Sequence, residues 1–211
     1  MKINLSTLDH ALTSVKKYKN IIVGFSGGID STVLLYGVCA LARKGLLRSN
    51  IKAIHVNHGL NDSCEEWESF CRRICSAYNV DLQVKNLEGL SKGSDLYSEG
   101  FLRTERYREF ESALDPDSVL LLAHHQDDQI ETLLLRLNRG AGMRGLSGIP
   151  ERRSLGEGSI YRPLLNFDRN SISEFAKKEG LQWIEDSSNA EICIDRNFLR
   201  SEILPKIESR W

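Results

Sequence analysis

At 211 residues, with 41% hydrophobic and 27% charged content, the chain has the make-up of a soluble globular protein: one large domain, or one domain with an extension. No run approaches the roughly 20 apolar residues of a membrane span, and the opening MKINLSTLDHALTSVKKYKN alternates polar and apolar residues, unlike a signal peptide. The net charge of −1 does not mark a polyanion binder, and five cysteines without a secretion signal read as reduced thiols of a cytoplasmic protein.

The first predicted strand is Ile21–Phe25, and it runs into SGGIDST before a predicted helix over Ser31–Arg43. Two adjacent glycines there suit a tight turn. They also suit an anion cradle, in which backbone N–H groups approach a phosphate at the positive end of the helix that follows. The stretch is neither the Walker pattern nor the dinucleotide pattern, so locally both readings stand. Further strands are predicted at Ile51–Val56, Leu82–Val84 and Val119–Ala123, alternating with helices at Asp62–Tyr78, Tyr97–Leu114 and Asp127–Arg139. The alternation predicts an α/β fold: a Rossmann-like parallel sheet with helices on both faces.

Beyond Gly140 the stretch RGAGMRGLSGIPERRSLGEGS is so rich in Gly and Arg that no regular element is expected in it. Two helices should follow, at Ser171–Glu179 and Asp195–Ser209. From Arg136 to Arg169 there are seven arginines (Arg136, Arg139, Arg144, Arg152, Arg153, Arg162, Arg169) against three acids, a patch that could meet a polyanion or simply be a solvated loop.

The polar clusters fall at strand ends: SGGIDS after the first strand, HVNHG at the second, HHQDDQ after the fourth. Ligands of open parallel sheets sit outside those carboxyl ends, and three clusters in such positions favour phosphate binding at the glycine loop. In AHHQDDQIETLLLRLNRG, the spacing of Ile130, Leu133, Leu134 and Leu137 predicts an amphipathic helix whose apolar face is buried. Asp127, Asp128 and Glu131 crowd its first turn. Helix capping accounts for one or two acids, but three repel one another. A Mg²⁺ ion shared with Asp30 would relieve that repulsion. His55, His58, His124 and His125 either line a nucleotide pocket or close strand ends. A zinc site with Cys64, Cys71 and Cys75 is rejected: Trp67, Phe70, Cys71, Ile74, Cys75 and Tyr78 form one helical stripe, and the spacing is not a zinc pattern. Periodicity alone leaves Arg103, Arg106 and Arg108 on a solvated helix face.

The sequence resembles a known family. SGGIDS matches the pyrophosphate-binding loop of the N-type ATP pyrophosphatases, and HVNHGL, EGFLRTERY, AHHQDDQIETLLLRLNRGAGMRGLSGI, RPLL, EDSSN and RNFLRSEILP, in that order, resemble bacterial tRNA(Ile)-lysidine synthetases. The resemblance implies an adenine nucleotide alpha-hydrolase-like PP-loop fold. It implies an enzyme that uses ATP and Mg²⁺ to adenylate the wobble cytidine of the isoleucine tRNA with a CAU anticodon, then ligates free L-lysine to C2. By this likeness Ser26, Gly27, Gly28, Ile29, Asp30 and Ser31 bind the pyrophosphate end of ATP, with His55, Val56 and His124 as further nucleotide contacts. Asp30 with Asp127 or Asp128 holds the metal, and Asp30, Arg103 and Asp127 are the catalytic candidates. Arg108 stays a surface charge. Asn61 follows HVNHGL where the family usually carries arginine.

The expected organisation is one catalytic domain over 1–211, with 140–211 a loop and helical extension and no separate C-terminal tRNA-binding domain. A homodimer is compatible with it, and no membrane partner is expected. Two other readings stay open: a tRNA thiolase, which would want a reactive cysteine pair, and a non-catalytic nucleotide-binding module, which would not need the carboxylates.

Overall fold

β1 (Asn20–Gly24) is apolar on both sides because the sheet is covered on both faces. Ile21 and Val23 pack into one core, whereas Ile22 between them joins another with Ile54, Phe110 and Leu120. That is the period-two alternation of a strand between two layers. The computed structural model describes residues 2–59, 64–87, 99–143, 145–185 and 195–210. The expected helix starts at Asp62 and Tyr97, and also Asn61, Arg144, Cys193 and most of EDSSN, lie outside these.

The helices are α1 (Leu5–Ala11), α2 (Ile29–Arg43), α3 (Cys64–Tyr78), α4 (Glu99–Ser112), α5 (Gln126–Asn138), α6 (Arg169–Lys178), α7 (Asp195–Phe198) and α8 (Leu204–Arg210), the last two joined by a π-helical turn over Leu199–Ile203. The other strands are β2 (Asn50–Asn57), β3 (Asp81–Asn86), β4 (Ser118–Leu121), β5 (Arg152–Leu155) and β6 (Gly158–Tyr161). They form one sheet in the order β3-β2-β1-β4-β6-β5, parallel except for β5. α1, α2, α3 and α6 contribute to the larger core and α4 to the core on the opposite face. Val33, Leu34, Leu35, Val38 and Leu41 of α2 are almost wholly buried. Each such aliphatic side chain contributes roughly 1.5–3 kcal/mol, more than the differences in helix propensity within α2. Because β2 and β4 pair with opposite edges of β1, the connections diverge there, and the crevice between them opens above the ends of β1 and β4.

The structure corrects the sequence reading in three places. The Gly/Arg-rich stretch contains the β5–β6 hairpin, closed by Gly156 at φ +53°. β6 adds Ile160 and Tyr161 to the cores, and Gly158 at its start lets the chain pass close to the turn between α4 and β4, since a Cβ there would lie 3.0 Å from the Leu114 Cβ and 3.1 Å from the Asp115 carbonyl. Second, the N-terminal segment, for which no element was expected, carries α1, capped by the Asn4 side chain accepting the Thr7 N–H. Third, the apolar face of α5 is turned outward. Ile130, Leu133 and Leu137 are exposed, and the buried residues are Glu131 and Thr132.

Candidate nucleotide and metal site

A cavity of about 590 Å³ opens at the carboxyl ends of β1, β2 and β4. Its wall combines the glycine loop, the end of β2, one side of α4 and the turn into α5. Of the residues singled out in the sequence, Ser26, Gly28, Asp30, Ser31, His55, Val56, Arg103, His124 and Asp128 line it. Gly27, Ile29 and Asp127 do not, so the structure brings Asp128 rather than Asp127 to the wall beside Asp30.

Gly27 has φ +85°, a conformation that favours glycine, and a Cβ on it would lie 3.2 Å from the Cys71 Sγ. Its carbonyl accepts the Ile184 N–H at 2.9 Å. Gly28 then caps α2 in an extended conformation. The loop is braced by its own hydroxyls. Ser31 Oγ donates to the Gly28 carbonyl at 3.0 Å, the Ser26 and Ser31 hydroxyls lie 3.1 Å apart, and the Gly28 N–H donates to Ser26 Oγ. The first N–H groups of α2 have no intrahelical acceptor, and they face the crevice with the positive end of a 15-residue helix.

The carboxylates come next. His125 Nε2 lies 3.7 Å from both Asp30 Oδ2 and Asp128 Oδ2. Asp128 is held by accepting the His125 backbone N–H at 2.9 Å. The other Asp30 oxygen, Oδ1, is buried and takes no partner among the described residues. Burial raises the Asp30 carboxyl above its ordinary pKa, with His125 and Arg169 pulling the other way. A half-buried carboxylate with one enclosed, unpartnered oxygen, beside a second carboxylate, fits a hard cation. Among the described residues no three His, Cys, Asp or Glu side chains gather into a metal site. The donors therefore suit an ion that takes one or two carboxylates and completes its shell from phosphate and water, as Mg²⁺ does.

On α4, Arg103 and Arg106 line the cavity, three residues apart on one helix face, while Arg108 is exposed and pairs with Glu105. The Arg103 guanidinium lies 5.2 Å from the centre of the Tyr107 ring and that of Arg153 4.5 Å from it. Arg106, Tyr107, His58 and Trp67 also belong to the wall; the i, i+3 spacing from Arg103 was the available signal for Arg106. His55 Nδ1 bonds the Phe25 carbonyl at 2.9 Å, tying β2 to the glycine loop, and burial holds its pKa below the usual value.

The arginine-rich segment is not a free basic face. Arg162 is buried, Arg136 donates to the Gly145 and Gly148 carbonyls, and Arg139 pairs with Asp195. The cysteine stripe is as expected: Cys71 and Cys75 are buried, which pushes both thiols up to about 12. Cys64, at the start of α3, reaches the cavity wall. No helix among the described residues is long and apolar enough to cross a membrane.

A model of the PP-loop domain matches residues 2–207. The chain is 44% identical over 189 residues to the tRNA(Ile)-lysidine synthase of Pseudomonas putida, covering 90% of this chain and 43% of that protein. It is 41% identical over 211 residues to the tRNA(Ile)-lysidine synthase of Methylococcus capsulatus, covering 100% of this chain and 47% of that protein. The chain thus spans a little under half the length of these curated relatives. Among solved structures it is similar to the U34-tRNA thiolase NcsA of Methanococcus maripaludis, with a TM-score of 0.74 at 18% identity over 98% of this chain and 72% of that one, a likeness of fold. With the match running along nearly the whole chain, and the braced glycine loop at the sheet's switch point, this chain belongs to the PP-loop domain family.

Proposed function

We propose that this chain carries the ATP-dependent ligation of L-lysine to C2 of the wobble cytidine in the isoleucine tRNA with a CAU anticodon. The observation that supports this most is the joining, in one cavity, of the glycine loop, the Asp30–His125–Asp128 cluster and Arg103, in a chain more than 40% identical to proteins named for that product.

A pyrimidine C2 oxygen leaves poorly and AMP leaves well. The cytidine oxygen therefore attacks the α-phosphorus of ATP, an O–P bond forms, and pyrophosphate departs. A lysine amine then attacks C2, the C2–O bond breaks with AMP leaving, and the amine loses a proton. The N–H groups of residues Ile29 to Ser31, at the start of α2, suit the phosphate chain, and Arg103 suits charge that develops as pyrophosphate leaves. Asp30 and Asp128 would hold Mg²⁺, with Asp127 next to them off the wall; the ion would neutralise phosphate charge when bound. An unpaired anticodon base entering the cavity would let the site read cytidine, as single-stranded loops allow.

A thiolase reading draws less support. Cys71 and Cys75 are buried and held as thiols, and Cys64 is the cysteine on the wall among the described residues. The test is pyrophosphate release with the isoleucine tRNA, run with and without lysine, followed by nucleoside analysis. Lysine should convert the cytidine to a lysine adduct. A product that needs a sulfur donor would overturn the reading, as would failure of the tRNA to stimulate release.

A further inference from the structure

Arg162, the residue after β6, is buried to 2% exposure and has no carboxylate partner among the described residues. Its guanidinium meets three neutral acceptors. Nη1 donates to the Pro150 carbonyl at 2.6 Å, Nη2 to the Tyr107 hydroxyl at 3.3 Å, and Nε to His124 Nδ1 at 3.3 Å. A buried charge with neutral partners is expensive to keep. Tying β6 to its neighbours would not by itself require a cation, because amides, hydroxyls and water also bridge such groups.

What a cationic donor adds over a hydroxyl, an amide or water is that it donates and cannot accept. Against a hydroxyl or a water, His124 Nδ1 could either donate or accept, and both ring tautomers would survive. Against the Arg162 Nε–H, Nδ1 must accept. The neutral ring then carries its proton on Nε2. Nε2 has no hydrogen-bond partner among the described residues, and the ring lines the cavity. We propose that Arg162 is a positioning residue that acts through His124, holding it as the neutral Nε2–H tautomer and so offering the cavity a fixed hydrogen-bond donor for an acceptor oxygen of the substrate. This rests on the cavity being the reaction site.

The groups facing His124 agree with a neutral ring. Burial lowers its pKa, and so do Arg162, Arg103 and Arg196, while Asp128 opposes them. For metal-ligating histidines, a second-layer partner that fixes the tautomer matters by about 10–100-fold, and an effect of that order is expected here.

The test begins with the wild-type protein labelled with ¹⁵N-histidine, using two-bond ¹⁵N–¹H spectra at neutral pH, with His124 assigned by its loss in His124→Gln. The expected pattern is a protonated Nε2 and an unprotonated Nδ1. A protonated Nδ1, or averaged tautomers, overturns the proposal, and this measurement decides the tautomer even where a variant fails to fold. In Arg162→Gln, whose amide can either donate or accept, the tautomers should mix, and pyrophosphate release should fall at least about 10-fold. Glutamine at 124 keeps an N–H near the Nε2 position and has no tautomer. Adding Arg162→Gln to His124→Gln should therefore cost less than about twofold more. Equal losses in both backgrounds would make Arg162 a support for the Pro150 segment only. If no preparation releases pyrophosphate, the functional reading fails while the spectrum still decides the tautomer.

Discussion

Arg200 donates its Nε–H to one oxygen of Glu131 at 2.8 Å, and its Nη2 lies 2.7 Å from the same oxygen, joining the closing helical segment to α5 across 69 positions of sequence. Glu131 is fully buried and its second oxygen takes no partner among the described residues. Burial pushes its carboxyl above the ordinary range, and Arg200 is the main group pulling it back. Arg200→Met strips the counter-charge from a buried carboxylate, which costs about 3–5 kcal/mol in buried pairs. The loss should fall near the low end because the Arg200 side chain is 31% exposed. Adding Glu131→Gln should return part of it. Urea unfolding measures both, and an Arg200→Met loss below about 0.5 kcal/mol would show that the pair is not a structural tie.

Arg103→Ala should reduce turnover far more than Arg108→Ala. Arg103 faces the cavity, and losing one preorganised donor costs roughly 3 kcal/mol, or about 100-fold in rate. Arg108 is exposed beside Glu105, and such surface pairs contribute little. Steady-state pyrophosphate release compares them. Similar small losses would remove Arg103 from the proposed mechanism.

Asp30→Asn should lower activity by at least about 100-fold while raising the thermal midpoint of the metal-free protein slightly, since a preorganised group is lost but a half-buried, under-partnered charge is also removed. The motive is the unpartnered Oδ1 and the carboxyl held above its usual pKa by burial. Differential scanning fluorimetry without Mg²⁺ reads the midpoint. A less stable Asp30→Asn protein would mean that the carboxylate is satisfied in the fold.

Acid should destabilise the protein above the ordinary carboxylate range. Burial, then Arg106 and His55, hold the His58 pKa down at about 4 from its ordinary 6.5, and His55 is lowered too. A depressed histidine keeps its full contribution above the unfolded value and loses it as pH falls from about 6.5 toward about 4. Within that window each histidine costs up to about 1.4 kcal/mol per pH unit. Melting curves from pH 7.5 to 5 should slope downward, with a shallower slope in His58→Gln. An unchanged slope would place the acid sensitivity elsewhere.

Ile130→Lys and Leu137→Lys should each change stability by less than about 0.5 kcal/mol, because both side chains already face outward. A loss of about 2 kcal/mol or more in either, measured by urea unfolding, would mean that the apolar face of α5 is covered after all.

The local signals in the sequence survive wherever one stretch of chain determines both its conformation and its neighbours. The apolar run Ile21–Val23, the doubled glycines and the helix behind them form a strand, a braced loop and α2 in register with expectation. Polar clusters at three strand ends meet in one cavity because parallel strands bring their carboxyl ends to the same edge. Tertiary structure decided the rest. β6 has too few residues, and follows too many glycines, to announce itself; it is a strand because β4 offers it an open edge. The period of α5 revealed a two-faced helix, but not which face would be covered. Glu131 is the buried residue because Arg200, 69 positions away, supplies its counter-charge. Arg162 looked like one more charge in a basic loop, and only the fold brings Tyr107, Pro150 and His124 around it. Periodicity records that a helix has two sides; long-range partners, which the local pattern does not encode, choose the side that leaves water.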